Sequence, residues 1–159
     1  MTTLSLIVNN SAGVLNRVTA LIARRGFNID SLAVGTTEDT ALSRITIVVS
    51  CDEAMVTQMI DQLSKLYCVK SITVLEKGMA KSRELMLVRV EAKDRRDRND
   101  IIGISNMLQA EIIEATADSI LLEFAGDLEK EAAFMSLISQ YKILELARTG
   151  VIALAKELI

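Results

Sequence analysis

The chain has no histidine, no proline and no tryptophan among its 159 residues, and only two cysteines. Without histidine it lacks the commonest general base at neutral pH and the commonest metal ligand. Cys51 and Cys68 share no CxxC spacing and have no histidine partner, so they support neither a zinc site nor a Cys/His nucleophile. Two cysteines also make no disulfide framework. No GxGxxG or P-loop phosphate cradle occurs. Aromatic residues are 3% of the chain and the net charge is −3, which leaves little for base stacking and no basic surface for nucleic acid. No apolar run approaches the roughly 20 residues that span a bilayer. The start, Met1 to Val8, has neither the basic region nor the apolar length of a secretion signal. These absences point to a cytoplasmic protein without metal, nucleic acid or membrane partner. Half the residues are hydrophobic and a quarter are charged, enough for a solvated surface around a real core. Acidic residues are scattered along polar faces and suggest no catalytic carboxylate pair.

What is present is a repeated order of elements. Leu4, Leu6 and Val8 alternate as in a strand. Val14, Leu15, Val18, Leu21 and Ile22 follow the spacing of an amphipathic helix. Arg24 and Arg25 followed by Gly26 signal its end. Asn28 to Gly35 and Ile45 to Val49 read as a hairpin around the polar turn 36–40. Asp52 can cap a second helix that carries Met55, Val56, Met59, Ile60, Leu63 and Leu66. Val69 to Val74 closes the set as a fourth strand. The same order then recurs: a strand at Leu85 to Val90, a helix carrying Ile101, Ile104 and Leu108, a hairpin turning near Asp118-Ser119, a helix capped near Asp127, and a last strand at Ile143 to Ala147. The fold class is therefore α+β, two ferredoxin-like βαββαβ units with helices on one face of an antiparallel sheet. The expected domains are 1–76, a linker at 77–82, and 83–159. Units of this size bury limited apolar area alone. The second strand falls at a sheet edge with no proline and few charges, so joining of edges into a homodimer is expected.

The most informative segment is the turn from Asn9 to Val18, which includes Asn10, Ser11, Ala12 and Gly13. A strand, an Asn/Ser/Gly loop and a helix N-terminus together offer unpaired backbone N–H groups to a small anion. That suits the carboxylate of a free amino acid and points to a sensor. The second unit has Lys93 to Asp100 at the equivalent turn, a charge run that reads as a solvated helix entry.

These phrases resemble a known family. Asn10, Gly13-Val14-Leu15, Arg17-Val18, then Arg24 to Leu32, then Ser43 to Val48 look like the N-terminal ACT domain of the small, regulatory subunit of acetolactate synthase (acetohydroxyacid synthase). Arg83-Glu84-Leu85 and Ala147-Arg148-Thr149-Gly150 match the family's second half. The chain departs from the pattern at Asn9, where Glu is common, at Ala20 and Ile22, where Gly and Phe are common, and at Asp30, which replaces Glu. The resemblance implies a non-catalytic chain that activates a separate, larger catalytic subunit carrying thiamine diphosphate, magnesium and FAD. It also implies feedback inhibition by valine, or by leucine or isoleucine, in branched-chain amino-acid synthesis.

The effector would lie between two N-terminal units, with Asn10, Ala12, Gly13, Val14 and Leu15 from one protomer and Asn28 and Ile29 from its partner. The N–H groups of Gly13, Val14 and Leu15 would hold the carboxylate, and the Asn10 amide the polar head. Asn28 and Ile29 would take the ammonium and the apolar side chain. The alternatives are a plain tight turn for Gly13, a helix cap for Asn10, and a left-handed residue opening a strand for Asn28. Arg148 is the candidate contact to the catalytic subunit, with a solvated strand end as the alternative. A free-standing double-ACT regulator of another target is the competing reading for the whole chain.

Overall fold

A computed structural model describes residues 1–76 and 78–156. The first unit runs β1 (Thr2–Asn9), α1 (Val14–Arg24), β2 (Ser31–Thr36), β3 (Leu42–Val49), α2 (Glu53–Leu63) and β4 (Val69–Leu75). Its strands lie in the order β2-β3-β1-β4, all antiparallel, so β2 is an edge strand as its sequence indicated. The alternation in β1 pairs Leu4 with Ile47 and Leu6 with Ile45 on one face. Val14, Val18 and Ile22 come from the buried face of α1, and Val56, Met59 and Leu63 from that of α2. All of these meet in one core, where most are fully buried. Burying a side chain of this size stabilises by about 1.5–3 kcal/mol.

The ends of α1 follow from its residues. Gly26, at φ 73°, sits past its C-terminus, and its N–H donates to the Ala23 carbonyl at 3.0 Å. The Phe27 N–H donates to the Ile22 carbonyl at 3.3 Å, completing a Schellman stop. Phe27 then buries its ring in the core. Asn28 is not left-handed, because Gly26 has already turned the chain. The strand accordingly starts at Ser31 rather than at Asn28.

The second unit runs β5 (Ala80–Glu91), α3 (Arg95–Leu108), β6 (Glu111–Ala115), β7 (Ser119–Gly126), α4 (Leu128–Ile138) and β8 (Ile143–Arg148). Its antiparallel order is β6-β7-β5-β8. Met86, Val88, Val90, Ile101, Ile120, Leu122, Phe124, Phe134 and Ile138 form its core. Phe124 and Phe134 stack at its centre, 4.7 Å between centroids.

Two features differ from the sequence reading. The expected linker at 77–82 contains the start of β5 at Ala80, with Lys77 outside the described residues. The strands also do not end at Ala147. A ninth strand, β9 (Ile152–Ala155), follows and pairs with β5. The chain thus divides into Met1–Lys81 together with the described residues from Val151 onward, and Ser82–Gly150. This differs from a second domain reaching 159, of which 157–159 lie outside the described residues.

The reason lies in the sheet face that α1 and α2 leave uncovered. Strand alternation sends Ile47 and Val49 to the helices and Val48 to that other face, yet Val48 is fully buried. Val151 donates its N–H to Ser31 Oγ at 2.8 Å, and Ser31 is the register partner of Val48. Strand β9 lies against β1 and β4. Val151 and Ala153 are buried while Ile152 and Leu154 point outward.

Candidate functional site

Among the described residues, three of the four helices begin on an aspartate. Asp52 Oδ1 accepts from the Met55 N–H at 2.8 Å, Asp94 Oδ1 from the Asp97 N–H at 2.8 Å, and Asp127 Oδ1 from the Lys130 N–H at 3.0 Å. Helix α1 is different. Its N-cap is Gly13, at φ 81° and ψ −4°, with no side-chain cap. Among the described residues no group accepts from the N–H of Gly13, Leu15 or Asn16. These are orphan first-turn donors at the positive end of the helix dipole. Asn16 was not picked out from the sequence, although its place three residues past Gly13 marks it as a first-turn donor.

The loop before them is held firmly. The Asn10 N–H donates to the Ala41 carbonyl at 2.7 Å, and its side-chain amide donates to the Thr40 carbonyl at 2.8 Å. Asn10 is therefore not the helix cap; one N–H of its amide ties the loop to the β2–β3 turn. The Val14 N–H is taken by the Ser11 carbonyl at 3.3 Å. Gly13 is present for its positive φ, since a Cβ there would meet nothing within 4 Å. Leu15 is largely exposed beside these donors. The Asn9 N–H donates to the Cys68 carbonyl at 2.9 Å, which brings the α2–β4 turn to the same end. There Tyr67 stacks under the Arg17 guanidinium, 4.9 Å from its centroid, and hydrogen-bonds it.

Asn28 and Ile29 lie elsewhere. They follow the C-terminus of α1, whereas Gly13 precedes its N-terminus. Eleven residues of helix separate the two ends by about 16 Å at 1.5 Å per residue. One chain does not bring the two halves of the candidate site together. The Asn28 amide donates to Asp30 Oδ1 at 3.2 Å, and Ile29 is half-buried against the core. An open cleft of about 470 Å³ between α2 and β4, lined by Glu53, Val56, Ile60 and Val74, borders none of these residues.

The second unit has no comparable loop. Asp94 caps α3, and Arg98 reaches the carbonyls of Ala92 at 3.2 Å and Ala117 at 3.0 Å, so the charge run is a helix entry with two structural members. Arg148 does not extend freely into solvent. Its Nη1 lies 2.6 Å from Glu131 Oε1, with side chains 41% and 9% exposed respectively. Glu131 is pushed up to about 7 by burial first, then by the hydrogen bond and charge of Glu84, against the opposing pull of Arg148. No sequence signal marked Glu131, which reads as one more polar residue in the first turns of α4.

Among the described residues no group of three or more His, Cys, Asp or Glu is placed to hold a metal ion. Among them, too, no helix is long and apolar enough to cross a membrane.

An antiparallel βαββαβ unit with its first strand-to-helix turn open to a ligand is the ACT-domain arrangement. Residues 4–71 match the family model of an AHAS small subunit-like ACT domain, and residues 83–157 match that of the small subunit of acetolactate synthase. A probable acetolactate synthase small subunit from Archaeoglobus fulgidus is 46% identical over 155 residues, covering 97% of this chain and 96% of that one. The acetolactate synthase small subunit of Mycolicibacterium smegmatis is 41% identical, over 97% and 90% of the two chains. The crystal structure of the acetolactate synthase small subunit from Thermotoga maritima superposes with a TM-score of 0.88 at 32% identity, covering 99% and 98%. The chain belongs to the family of acetolactate synthase small, regulatory subunits.

Proposed function

We propose that this chain activates a separate catalytic subunit of acetolactate synthase and makes it sensitive to feedback inhibition by a branched-chain amino acid, with valine first and leucine or isoleucine as alternatives. The observation that carries the sensing role is the bare N-terminus of α1 beside its three aspartate-capped counterparts. An effector carboxylate fills the place of the missing cap, taking the N–H groups of Gly13, Leu15 and Asn16 and the favourable end of the dipole. Asn10 fixes the loop with one amide N–H and offers the second to the polar head of the ligand.

Since Asn28 and Ile29 stand at the far end of α1, they serve the same effector only from a second copy of the chain. A homodimer joined along the β2 edge provides that arrangement. Effector binding across two protomers favours one packing of the dimer, and the catalytic subunit follows through a coupling of about 1–3 kcal/mol. On this reading the chemistry, with thiamine diphosphate, magnesium and FAD, belongs to the partner subunit, in the cytoplasm.

Reconstitution with the catalytic chain from the same source tests the proposal. Addition of this chain raises acetolactate formation, and valine lowers it again. Calorimetry with valine shows binding to the wild type and none to Gly13→Asp, whose carboxylate occupies the loop. Unchanged catalysis on addition refutes the activating role, and equal valine binding by both proteins refutes the loop.

A further inference from the structure

The family phrases Arg83-Glu84-Leu85 and Ala147-Arg148-Thr149-Gly150 meet in the fold of the second unit. Met86 is the register partner of Arg148. The Thr149 N–H donates to the Leu85 carbonyl at 3.0 Å, and the Leu85 N–H donates to Thr149 Oγ1 at 3.1 Å. Glu84 and Glu131 are both more than nine-tenths buried, one from β5 and one from α4. Arg148 engages Glu131 Oε1 only. Glu131 Oε2 is buried and no donor reaches it. The carboxyl of Glu84 lies within hydrogen-bonding reach of the Glu131 side chain.

Two buried ionised carboxylates cannot satisfy each other, since both only accept. One guanidinium offsets only one of them. A single proton resolves both problems: it turns one carboxyl into a donor and leaves the cluster with no net charge. We propose that Glu131 holds a proton toward the Glu84 carboxylate, and that this proton sets how firmly Arg148 and the adjoining chain crossings are clamped. The crossings are the two places where the chain passes between the units, at Lys81–Ser82 and at Gly150–Val151. Glu84 stands two residues inside the first, and Arg148 two residues inside the second.

The charged groups acting on Glu131 are Glu84 from β5 and Arg148 from β8. Strand β7 presents Phe124 and Gly126 to the start of α4, and no charged group of α3 is among those acting on it. When the proton leaves for solvent, two carboxylates face each other out of water, with one guanidinium engaging only Glu131. The cluster then opposes its own closed geometry, and the Leu85–Thr149 pair opens more readily. The device belongs to the neutral range because burial raises Glu131 from 4.5 to about 7.

The test uses the full chain. Infrared absorption of the protonated carboxyl is followed from about pH 5 to about pH 9, with amide exchange at Leu85 and Thr149 corrected for its intrinsic pH dependence. In the wild type a protonated carboxyl persists at about pH 6 and is lost by about pH 8. Protection at the two amides falls about tenfold per pH unit up to about pH 7 and is level above it. Glu131→Gln keeps an acceptor for Arg148 and a donor for Glu84, so it mimics the loaded state. Its protection does not change with pH and exceeds that of the wild type at about pH 8. Glu84→Gln leaves Glu131 buried but removes the facing charge, so the Glu131 carboxyl signal is lost at a lower pH than in the wild type, and this variant serves if Glu131→Gln does not fold. Absence of the carboxyl signal at about pH 6, its survival in Glu131→Gln, or an unshifted loss in Glu84→Gln overturns the proposal. So does an identical pH response of the amides in wild type and variant.

Discussion

Replacing Gly13 with alanine separates backbone conformation from every other property of the effector loop. The residue sits at φ 81°, and a Cβ added there meets no atom within 4 Å, so no steric term enters. The left-handed conformation costs an alanine about 1–2 kcal/mol. Alanine also restricts the unfolded chain, which returns about 0.4–1 kcal/mol to stability. The net destabilisation is about 1 kcal/mol, read as a lower urea midpoint at unchanged slope in far-UV circular dichroism. The effect on binding is larger in kind. If the chain relaxes toward negative φ, the N–H groups of Gly13, Leu15 and Asn16 no longer converge. A hydrogen bond to a charged group contributes about 1.5–3 kcal/mol, so loss of one lowers valine affinity by about tenfold or more in calorimetry. A variant that loses stability but binds valine as the wild type does refutes the carboxylate role of this turn. One that loses no stability refutes the conformational argument itself.

Other expectations rest on different residues. Gly126→Ala places a Cβ 2.6 Å from Phe124 Cζ, on a ring already stacked against Phe134, so overpacking costs about 1–3 kcal/mol in the same urea assay. Asp52→Ala removes the cap of α2 and costs about 1 kcal/mol, whereas no such loss is available at α1, where no side chain serves as cap. Raised from 4.5 to about 7, Glu131 adds a stability that is complete below about pH 4.5 and is lost as pH rises to about 7. The loss amounts to about 3 kcal/mol in pH-dependent urea titrations and is absent in Glu131→Gln.

Much of the fold was legible because its signals are local. The period of two in Leu4, Leu6 and Val8, and the spacing of Val14, Val18 and Ile22, each select one face within a single element. Asp52 and Asp127 bond N–H groups three residues away, and Gly26 closes the helix immediately before it. The candidate loop was legible for the same reason, since Gly13 and the first turn of α1 are neighbours along the chain. Less was visible where a long-range partner decides the role. That one amide N–H of Asn10 ties the loop to Thr40, thirty residues on, had no local signal. Helix α3 ends on Gln109 at φ 60°, where no glycine announced a stop.

The sequence by itself determined the two βαββαβ orders, the Asp52 and Asp127 caps, the strand faces and the open N-terminus of α1, because each depends on residues within a turn or two of one another. Tertiary structure alone decided that the chain returns after Gly150 to cover Val48, with Val151 bonded to Ser31 across 120 positions. It alone joined the buried Glu84 and Glu131 with the partly exposed Arg148. Burial and charge pairing are properties of what surrounds a side chain in space, and for these residues those surroundings are assembled from distant parts of the chain.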